Sequence, residues 1–207
     1  MTFKTLICLL VLILSLEVAQ AQQNNLNILV FTKTEGFRHK SIPAGTTFMA
    51  ELAQKNNWNI SFSEDSNEFE EENLKQYNVL VFLNTSGDLF DKNQKQALQN
   101  YMANGNGFVG IHSASNTEME WTWFTEMIGA TFKDHPKVQN ATLHIDKTSE
   151  HPSINHLNNI EVFKDEWYNF LKPVGKHVNV LASLDEDSYQ GRKMNTKNHP
   201  NTWYHHY

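Results

Sequence analysis

Short apolar segments alternate with segments of helical periodicity, and this pattern constrains the fold more than any other feature of the sequence. Residues 26–33, 77–84 and 108–111 are apolar at successive positions, and residues 58–63 form a further short strand-like run. Continuous apolar character is typical of strands that lie buried between two layers of helices. The alternation therefore predicts an α/β fold with a mostly parallel sheet and helices on both of its faces.

Capping signals mark where the helices between these strands begin. Ser41 is followed by Pro43, and proline is favoured in the first turn of a helix. Asp91, with Gln94 three residues later, has the spacing of a capping box, in which two side chains bond free N–H groups of the first turn. A further helix is predicted around Phe124, where apolar residues recur at helical spacing.

The second half of the chain is less regular than the first. Residues 138–147 and 178–184 have the composition of strands, and residues 201–207 begin another strand-like run. No internal repeat or Pro/Gly/Ser-rich linker divides the sequence. The chain has 207 residues, which is the length of one domain at roughly 100–200 residues per domain.

The N-terminal residues 1–21 have the three parts of a secretory signal peptide. Lys4 supplies the positive charge, residues 6–14 form an apolar core, and residues 19–21 (Ala-Gln-Ala) match a small-residue cleavage site. The apolar core is shorter than the roughly 20 residues that a membrane-spanning helix needs. We therefore expect cleavage after Ala21, a mature domain over residues 22–207, and a periplasmic or secreted location.

Composition narrows the chemistry and the partners of the mature chain. Cleavage would remove Cys8, the single cysteine, and leave no disulfide, no thiolate ligand and no cysteine nucleophile. The net charge of −6 argues against nucleic acid, which is bound through a surplus of Lys and Arg, and against anionic membranes. A small-molecule ligand is the class of partner that these properties favour.

Polar residues collect in three loops that follow predicted strands, at residues 34–39, 85–88 and 112–116. In open α/β sheets, ligands bind outside the carboxyl ends of the strands, where helix N-termini offer free N–H groups. We predict that the three loops converge on one site. The substrate-binding residues predicted there are Arg38, His39, Thr85, Gly87, Asp88 and Ser113.

His112 is the strongest catalytic candidate because it directly follows an apolar strand, at a strand-to-helix turn. Such a turn presents its side chain at the floor of a cleft. The imidazole can serve there as a general acid or base, or as a ligand of a divalent metal together with His39 and a carboxylate. A hydrogen bond to a loop carbonyl is the purely structural alternative. Ser113 lacks the G-x-S-x-G surroundings of a nucleophile.

Residues 165–168 (Asp-Glu-Trp-Tyr) combine carboxylates with aromatic rings. Carboxylates hold sugar hydroxyls or transfer protons, and aromatic faces stack on sugar rings. We accordingly predict Glu166 as a catalytic acid or base and Trp167 as a substrate contact, while a core tryptophan beside solvated acids is the alternative. His199, close to Trp203, repeats the pairing of histidine with an aromatic ring and is a further predicted substrate-binding residue.

Several long stretches, in order along the chain, resemble the ThuA-like family, which is named for trehalose utilisation. They are residues 28–45, 77–91, 107–117, 165–169 and 180–189, followed by His199, Pro200 and Trp203. The resemblance extends from residue 26 to residue 207. It implies a flavodoxin-like α/β domain akin to the class I glutamine amidotransferases.

The resemblance also implies a function. Glutamine amidotransferases carry a cysteine at the elbow in a G-x-C-x-G pattern, whereas this chain has His112 there and Ala114 in place of the last glycine. Glutaminase activity is therefore not expected. ThuA-like proteins are associated with disaccharide catabolism, alongside oxidoreductases that make keto-sugars. They usually continue beyond the W-x-H-x-Y pattern that ends this chain, which implies a C-terminal truncation.

Residues and resemblance together predict a secreted enzyme of disaccharide or keto-sugar catabolism, with His112 and Glu166 as its catalytic residues. Hydrolysis, elimination and isomerisation all remain open, because each needs a base and a group that stabilises an oxyanion. Two alternatives use the same residues: a non-catalytic carbohydrate-binding module and an inactive truncated fragment.

Overall fold

The computed structural model describes residues 25–175, 177–196 and 199–207, so the predicted signal peptide lies outside the described residues. The strands in these ranges are β1 (Asn27–Phe31), β2 (Asn59–Ser63), β3 (Val79–Leu83), β4 (Gly107–Ile111), β5 (Phe132–Asp134), β6 (Gln139–Ile145), β7 (Ile160–Asp165), β8 (Asn169–Phe170), β9 (Asn179–Leu184) and β10 (His199–Tyr204). The α-helices are α1 (Ile42–Asn56), α2 (Glu71–Leu74), α3 (Lys92–Ala103) and α4 (Thr122–Ile128).

The first four strands form one parallel sheet in the order β2-β1-β3-β4. Strands β1 and β3 lie at its centre and pair in register from Ile28 with Val79 to Phe31 with Phe82. Parallel neighbours need a crossover connection, and helical segments provide it after each of the first three strands. The parallel sheet predicted from the apolar runs is thus confirmed.

Helices cover both faces of this sheet, which explains why its central strands are apolar throughout. Ile28 and Val30 of β1 pack in one cluster with Met49 of α1. Leu29 and Phe31, which point to the opposite face, pack in another cluster with residues of α3 and α4. Each strand residue therefore lies in one of two separate apolar layers.

The capping signals in the sequence are realised in the helices. Ser41 occupies the N-cap position of α1 and a proline its first turn, although the Ser41 hydroxyl accepts from the Asn84 side chain and caps no N–H of the helix. At α3 the Asp91 side chain accepts the N–H groups of Asn93 and Gln94, while the Gln94 side chain accepts the N–H of Asp91, as a capping box requires. Among the described residues, no helix has the length and apolar character to cross a membrane.

The second half of the chain does not extend the parallel sheet. Its strands form a separate antiparallel sheet in the order β10-β9-β6-β7, and β5 pairs with β8 in a short antiparallel ribbon. The antiparallel sheet has its own core, in which Trp167, Leu181 and Tyr189 are buried. The expected single, mostly parallel sheet therefore holds for the first half only, because the later strands pair with one another.

Gly87, in the loop after β3, lies in close contact with the loop after β1. Its φ is +84°, and an added Cβ would lie 2.8 Å from the backbone nitrogen of Gly36. We expect Gly87→Ala to lower the free energy of unfolding by about 3 kcal/mol, since it combines an unfavourable left-handed conformation with overpacking. Urea denaturation monitored by circular dichroism measures this loss.

Gly105→Ala is the matched control. Gly105 has a φ of +80°, but an added Cβ meets no atom within 4 Å. Its loss should therefore be limited to the conformational cost of about 1–2 kcal/mol. Equal losses in the two variants would contradict the close packing of the loops.

Candidate functional site

The loops that follow β1, β3 and β4 meet, as the sequence predicts. Single β-bridges join Thr34 to Ser86 and Gly87 to Thr117. The Ser86 carbonyl accepts the N–H of Glu35 at 2.8 Å, and the Gly87 N–H donates to the carbonyl of Asn116 at 2.9 Å. The middle loop is therefore bonded on both sides and fixes the other two relative to each other.

Strained backbone lies at the same edge of the sheet. His112 and Glu118 have φ angles of +55° and +50°, a conformation that costs about 1–2 kcal/mol for a residue with a side chain. The buried Glu118 carboxylate is held by the N–H groups of Leu89 and Phe90 and by Lys95. Such strain persists only where the surroundings enforce it, and it is concentrated at functional sites.

Three side chains bring potential metal-ligating atoms together. The Nε2 atoms of His39 and His112 lie 3.1 Å apart, and each is 3.3 Å from Oε2 of Glu166. All three side chains are partly buried, and they form the group of histidine and carboxylate ligands that the described residues provide for a metal ion. We call His39, His112 and Glu166 the ligand triangle.

Glu166 enters the triangle from the second half of the chain, between β7 and β8. Its neighbour Trp167 anchors this segment, because the indole N–H donates to the carbonyl of Gln139 and the ring packs in the second core. Trp167 is only 2% exposed. The prediction that it stacks on substrate is therefore wrong: a ring buried on both faces has no surface left for a sugar.

Two neighbours orient the histidines of the triangle. The hydroxyl of Ser113 lies 3.3 Å from Nδ1 of His39, the ring nitrogen that faces away from the triangle. The ring of Tyr168 packs on the ring of His112 with centroids 4.4 Å apart, and its hydroxyl reaches Nε2 of His39 at 3.4 Å. Ser113 is completely buried, so the structure places it behind His39 rather than in contact with a substrate.

His135 also belongs to this site, although the sequence analysis did not identify it. Its Nδ1 lies 2.7 Å from the carbonyl of Pro136, which can only accept a hydrogen bond, so Nδ1 carries the proton. Its Nε2 lies 3.7 Å from Oε2 of Glu166. His135 lies in the irregular half of the chain, where no strand pattern marked it as part of a site.

The remaining predicted substrate-binding residues occupy different places. The Arg38 guanidinium lies against Glu64 at 2.5 Å and against the Thr32 carbonyl, and Asp88 is exposed. The hydroxyl of Thr85 is fully buried 2.8 Å from that of Thr117. Thr85 therefore supports the loops from inside.

His199 is a buried support rather than a substrate contact, which corrects the prediction made for it. It is 1% exposed, with Nδ1 at 2.9 Å from Oε1 of Glu186 and Nε2 at 2.8 Å from the carbonyl of Tyr168. Both ring nitrogens are thus used within the protein. His199 holds the backbone of Tyr168, whose ring packs on His112.

The surroundings favour the protonation states that metal binding requires. Burial, and then the charge of His39, lower the pKa of His112 below its usual value. Burial tends to raise the pKa of Glu166, but the hydrogen bond from His39 and the charges of His135, His112 and His39 outweigh it and lower the pKa. A neutral imidazole and an ionised carboxylate are the forms that bind cations.

Comparisons with known proteins agree on one family. The family model described as "ThuA: Trehalose utilisation" matches residues 27–207. A ThuA-like protein from Bacteroides uniformis ATCC 8492 is 28% identical with a TM-score of 0.73, over 89% of this chain and 78% of that chain. A ThuA-like protein from Parabacteroides merdae ATCC 43184 is 16% identical with a TM-score of 0.70, over 89% of this chain and 76% of that chain. At this identity the match shows a shared fold and nothing more. No curated protein matches the chain.

The lowered pKa of His112 makes stability depend on pH in a defined direction. In chelator-treated protein we expect the NMR titration of His112 to have its midpoint below the usual 6.5, with His112→Asn identifying the resonance. The unfolded chain then takes up this proton before the folded chain does. The contribution of His112 to stability is therefore full above pH 6.5 and declines as the pH falls below it.

Urea denaturation at a series of pH values tests that consequence. His112→Asn should lose less stability than the wild type between neutral pH and the folded-state midpoint of His112. A midpoint above 6.5 in the chelated protein would contradict the dominant effect of burial.

Proposed function

This chain belongs to the ThuA family, described as trehalose utilisation, and on that premise we propose that it is an enzyme of disaccharide or keto-sugar catabolism with a divalent-metal site at His39, His112 and Glu166. His112 acts as a metal ligand in this proposal, which is one of the two roles that its position in the sequence predicts. The family match supports the substrate class, and the ligand triangle supports the metal.

The size of the ligand triangle is the observation that carries the proposal. Its edges are 3.1, 3.3 and 3.3 Å. The three atoms are close enough together that they would all reach one divalent ion at metal–ligand distances of about 2.0–2.2 Å. Two histidines with one glutamate are a known ligand set of catalytic zinc.

Without a cation, hydrogen bonds cannot satisfy all three contacts of the triangle at once. Two imidazole nitrogens and one carboxylate oxygen point at one another within 3.3 Å. The protons of the two imidazoles can satisfy at most two of the three contacts, whereas a cation would satisfy all three. The orientation of His39 by Ser113 is also typical of metal-ligating histidines, whose second ring nitrogen is bonded to a fixed partner.

The chemistry follows from the residues around the triangle. A divalent cation, when bound, supplies Lewis acidity toward a carbonyl or hydroxyl oxygen of a sugar. His135 presents Nε2 beside Glu166 and is the neighbouring imidazole that can exchange a proton with a hydroxyl held there. Burial raises the pKa of Tyr168, which keeps its hydroxyl protonated as a hydrogen-bond donor.

We further propose that the fold is flavodoxin-like and related to that of the class I glutamine amidotransferases, but without glutaminase activity. The elbow after β4 carries His112 instead of a cysteine, and the chain's single cysteine is Cys8. The neighbouring Ser113 is buried against His39 and is not available to attack an amide. If the predicted signal peptide at residues 1–21 directs export, the enzyme acts on sugars in the periplasm or outside the cell.

Metal content and turnover test the proposal together. We expect about one divalent ion per chain in purified protein by elemental analysis, and conversion of trehalose or its keto derivative that stops on chelation and returns with zinc or manganese. His39→Ala and Glu166→Gln should each lose the ion and the activity while the fold remains intact by circular dichroism.

His144→Ala is the matched control, because His144 lies 3.7 Å from Asp185 in an exposed histidine–carboxylate pair outside the triangle. It should retain both metal and activity. Purified protein that binds no divalent ion would contradict the metal site. Saturable sugar binding without any product over a long incubation would instead indicate a carbohydrate-binding module.

Ser113 offers a second test, directed at the support of the triangle. Ser113→Ala removes the hydroxyl that contacts Nδ1 of His39, and we expect metal affinity to fall about 10- to 100-fold, as for other groups that orient metal ligands. Competition with a fluorescent chelator measures the affinity.

Ser66→Ala is the control for a buried serine, because the Ser66 hydroxyl donates to the carbonyl of Leu89 and accepts from Lys33. It should lower stability without changing metal affinity. A Ser113→Ala protein with wild-type affinity would show that Ser113 does not orient His39.

A further inference from the structure

We infer that Phe37 is the stacking surface for a second sugar ring, next to the ring held at the ligand triangle; this inference rests on the proposed function. Trp167, the aromatic residue that the sequence suggests for this role, is buried. Phe37 lies in the loop that carries His39, and it is 66% exposed. An exposed aromatic ring next to the ligand triangle offers an apolar face to a sugar ring whose hydroxyl groups find polar partners nearby.

The position of the Phe37 ring places it beside the triangle rather than within it. Its centroid lies 4.8 Å from that of His39, with the ring planes at 80°. The contact is edge-to-face and uses only part of the ring, which leaves much of the aromatic surface free. A ligand that rests on Phe37 therefore lies next to a group bound at His39 and His112.

The backbone of Phe37 is held rigidly although its side chain is exposed. Its carbonyl accepts a hydrogen bond of 2.8 Å from the hydroxyl of Ser86, a fully buried residue. The N–H of Gly36 donates to the Ser86 carbonyl at 3.3 Å, and a Cβ on Gly36 would lie 3.2 Å from the Ser86 hydroxyl. The ring is thus presented by a fixed loop, and a ligand loses little free energy in ordering it.

The chemistry of the ring selects the ligand. A pyranose presents C–H groups on its faces, which pack on an aromatic ring, and hydroxyl groups at its edge, which require polar partners. The ligand triangle, His135 and Tyr168 supply polar partners for one ring. Phe37 supplies an apolar face for a neighbouring ring, so it favours a disaccharide over the corresponding monosaccharide.

Calorimetric titration of the metal-containing protein with trehalose and with glucose tests this role. We expect Phe37→Ala to weaken trehalose binding about three- to tenfold, the range of one aromatic contact, and to leave glucose binding and metal content unchanged. Phe37→Trp should retain trehalose affinity because it preserves the aromatic face. Phe48→Ala is the control, since Phe48 is a similarly exposed phenylalanine on α1, and it should behave as the wild type.

The outcomes separate the two proposals. Unchanged trehalose affinity in Phe37→Ala, or equal losses for trehalose and glucose, would overturn the role of Phe37 and leave the proposed function standing. Wild-type protein that contains the metal but binds and converts neither sugar would overturn both. Loss of metal in Phe37→Ala would show that the residue supports His39 instead of a second sugar ring.

Discussion

The loop after β3 is the constraint on which the rest of the site depends. Its Ser86 carbonyl accepts N–H groups from the loop after β1, and its Gly87 N–H donates to the loop after β4. His39 and His112 lie on those two outer loops, more than seventy positions apart in the sequence. Their 3.1 Å separation is therefore set by backbone hydrogen bonds through a third loop that contributes no atom to the ligand triangle.

The three bonded loops hold His112 in a strained backbone conformation and fix its side chain beside Glu166. His112 takes a left-handed backbone conformation, and its burial keeps the imidazole neutral beside an ionised Glu166. The left-handed backbone of His112 and the partial burial of a carboxylate are each unfavourable by themselves. Their combination brings the two Nε2 atoms and the carboxylate oxygen together at one point, where a bound cation would contact all three.

The sequence predicts the first half of the fold well because the relevant information is local. Continuous apolar strands and capping residues such as Asp91 specify the parallel sheet, its two helical layers and the edge where His112 lies. The second half depends on pairing between distant strands, such as β6 with β9, and no local pattern states which strand pairs with which. His135 was missed for this reason, since its place beside Glu166 follows from the pairing of β5 with β8 and of β6 with β7.

The same residue types can contact a substrate or support the site from inside the protein, and the burial of each side chain decides which role it has. Trp167 and His199 have the chemistry of sugar ligands, but their polar atoms are used inside the protein. Through the carbonyl of Tyr168, His199 on β10 supports a ring that packs on His112 after β4. The parallel sheet supplies the two histidines of the triangle, and the antiparallel half supplies the glutamate and the aromatic support. Neither half of the chain contains the complete ligand set, so the site exists only where both halves are folded against each other.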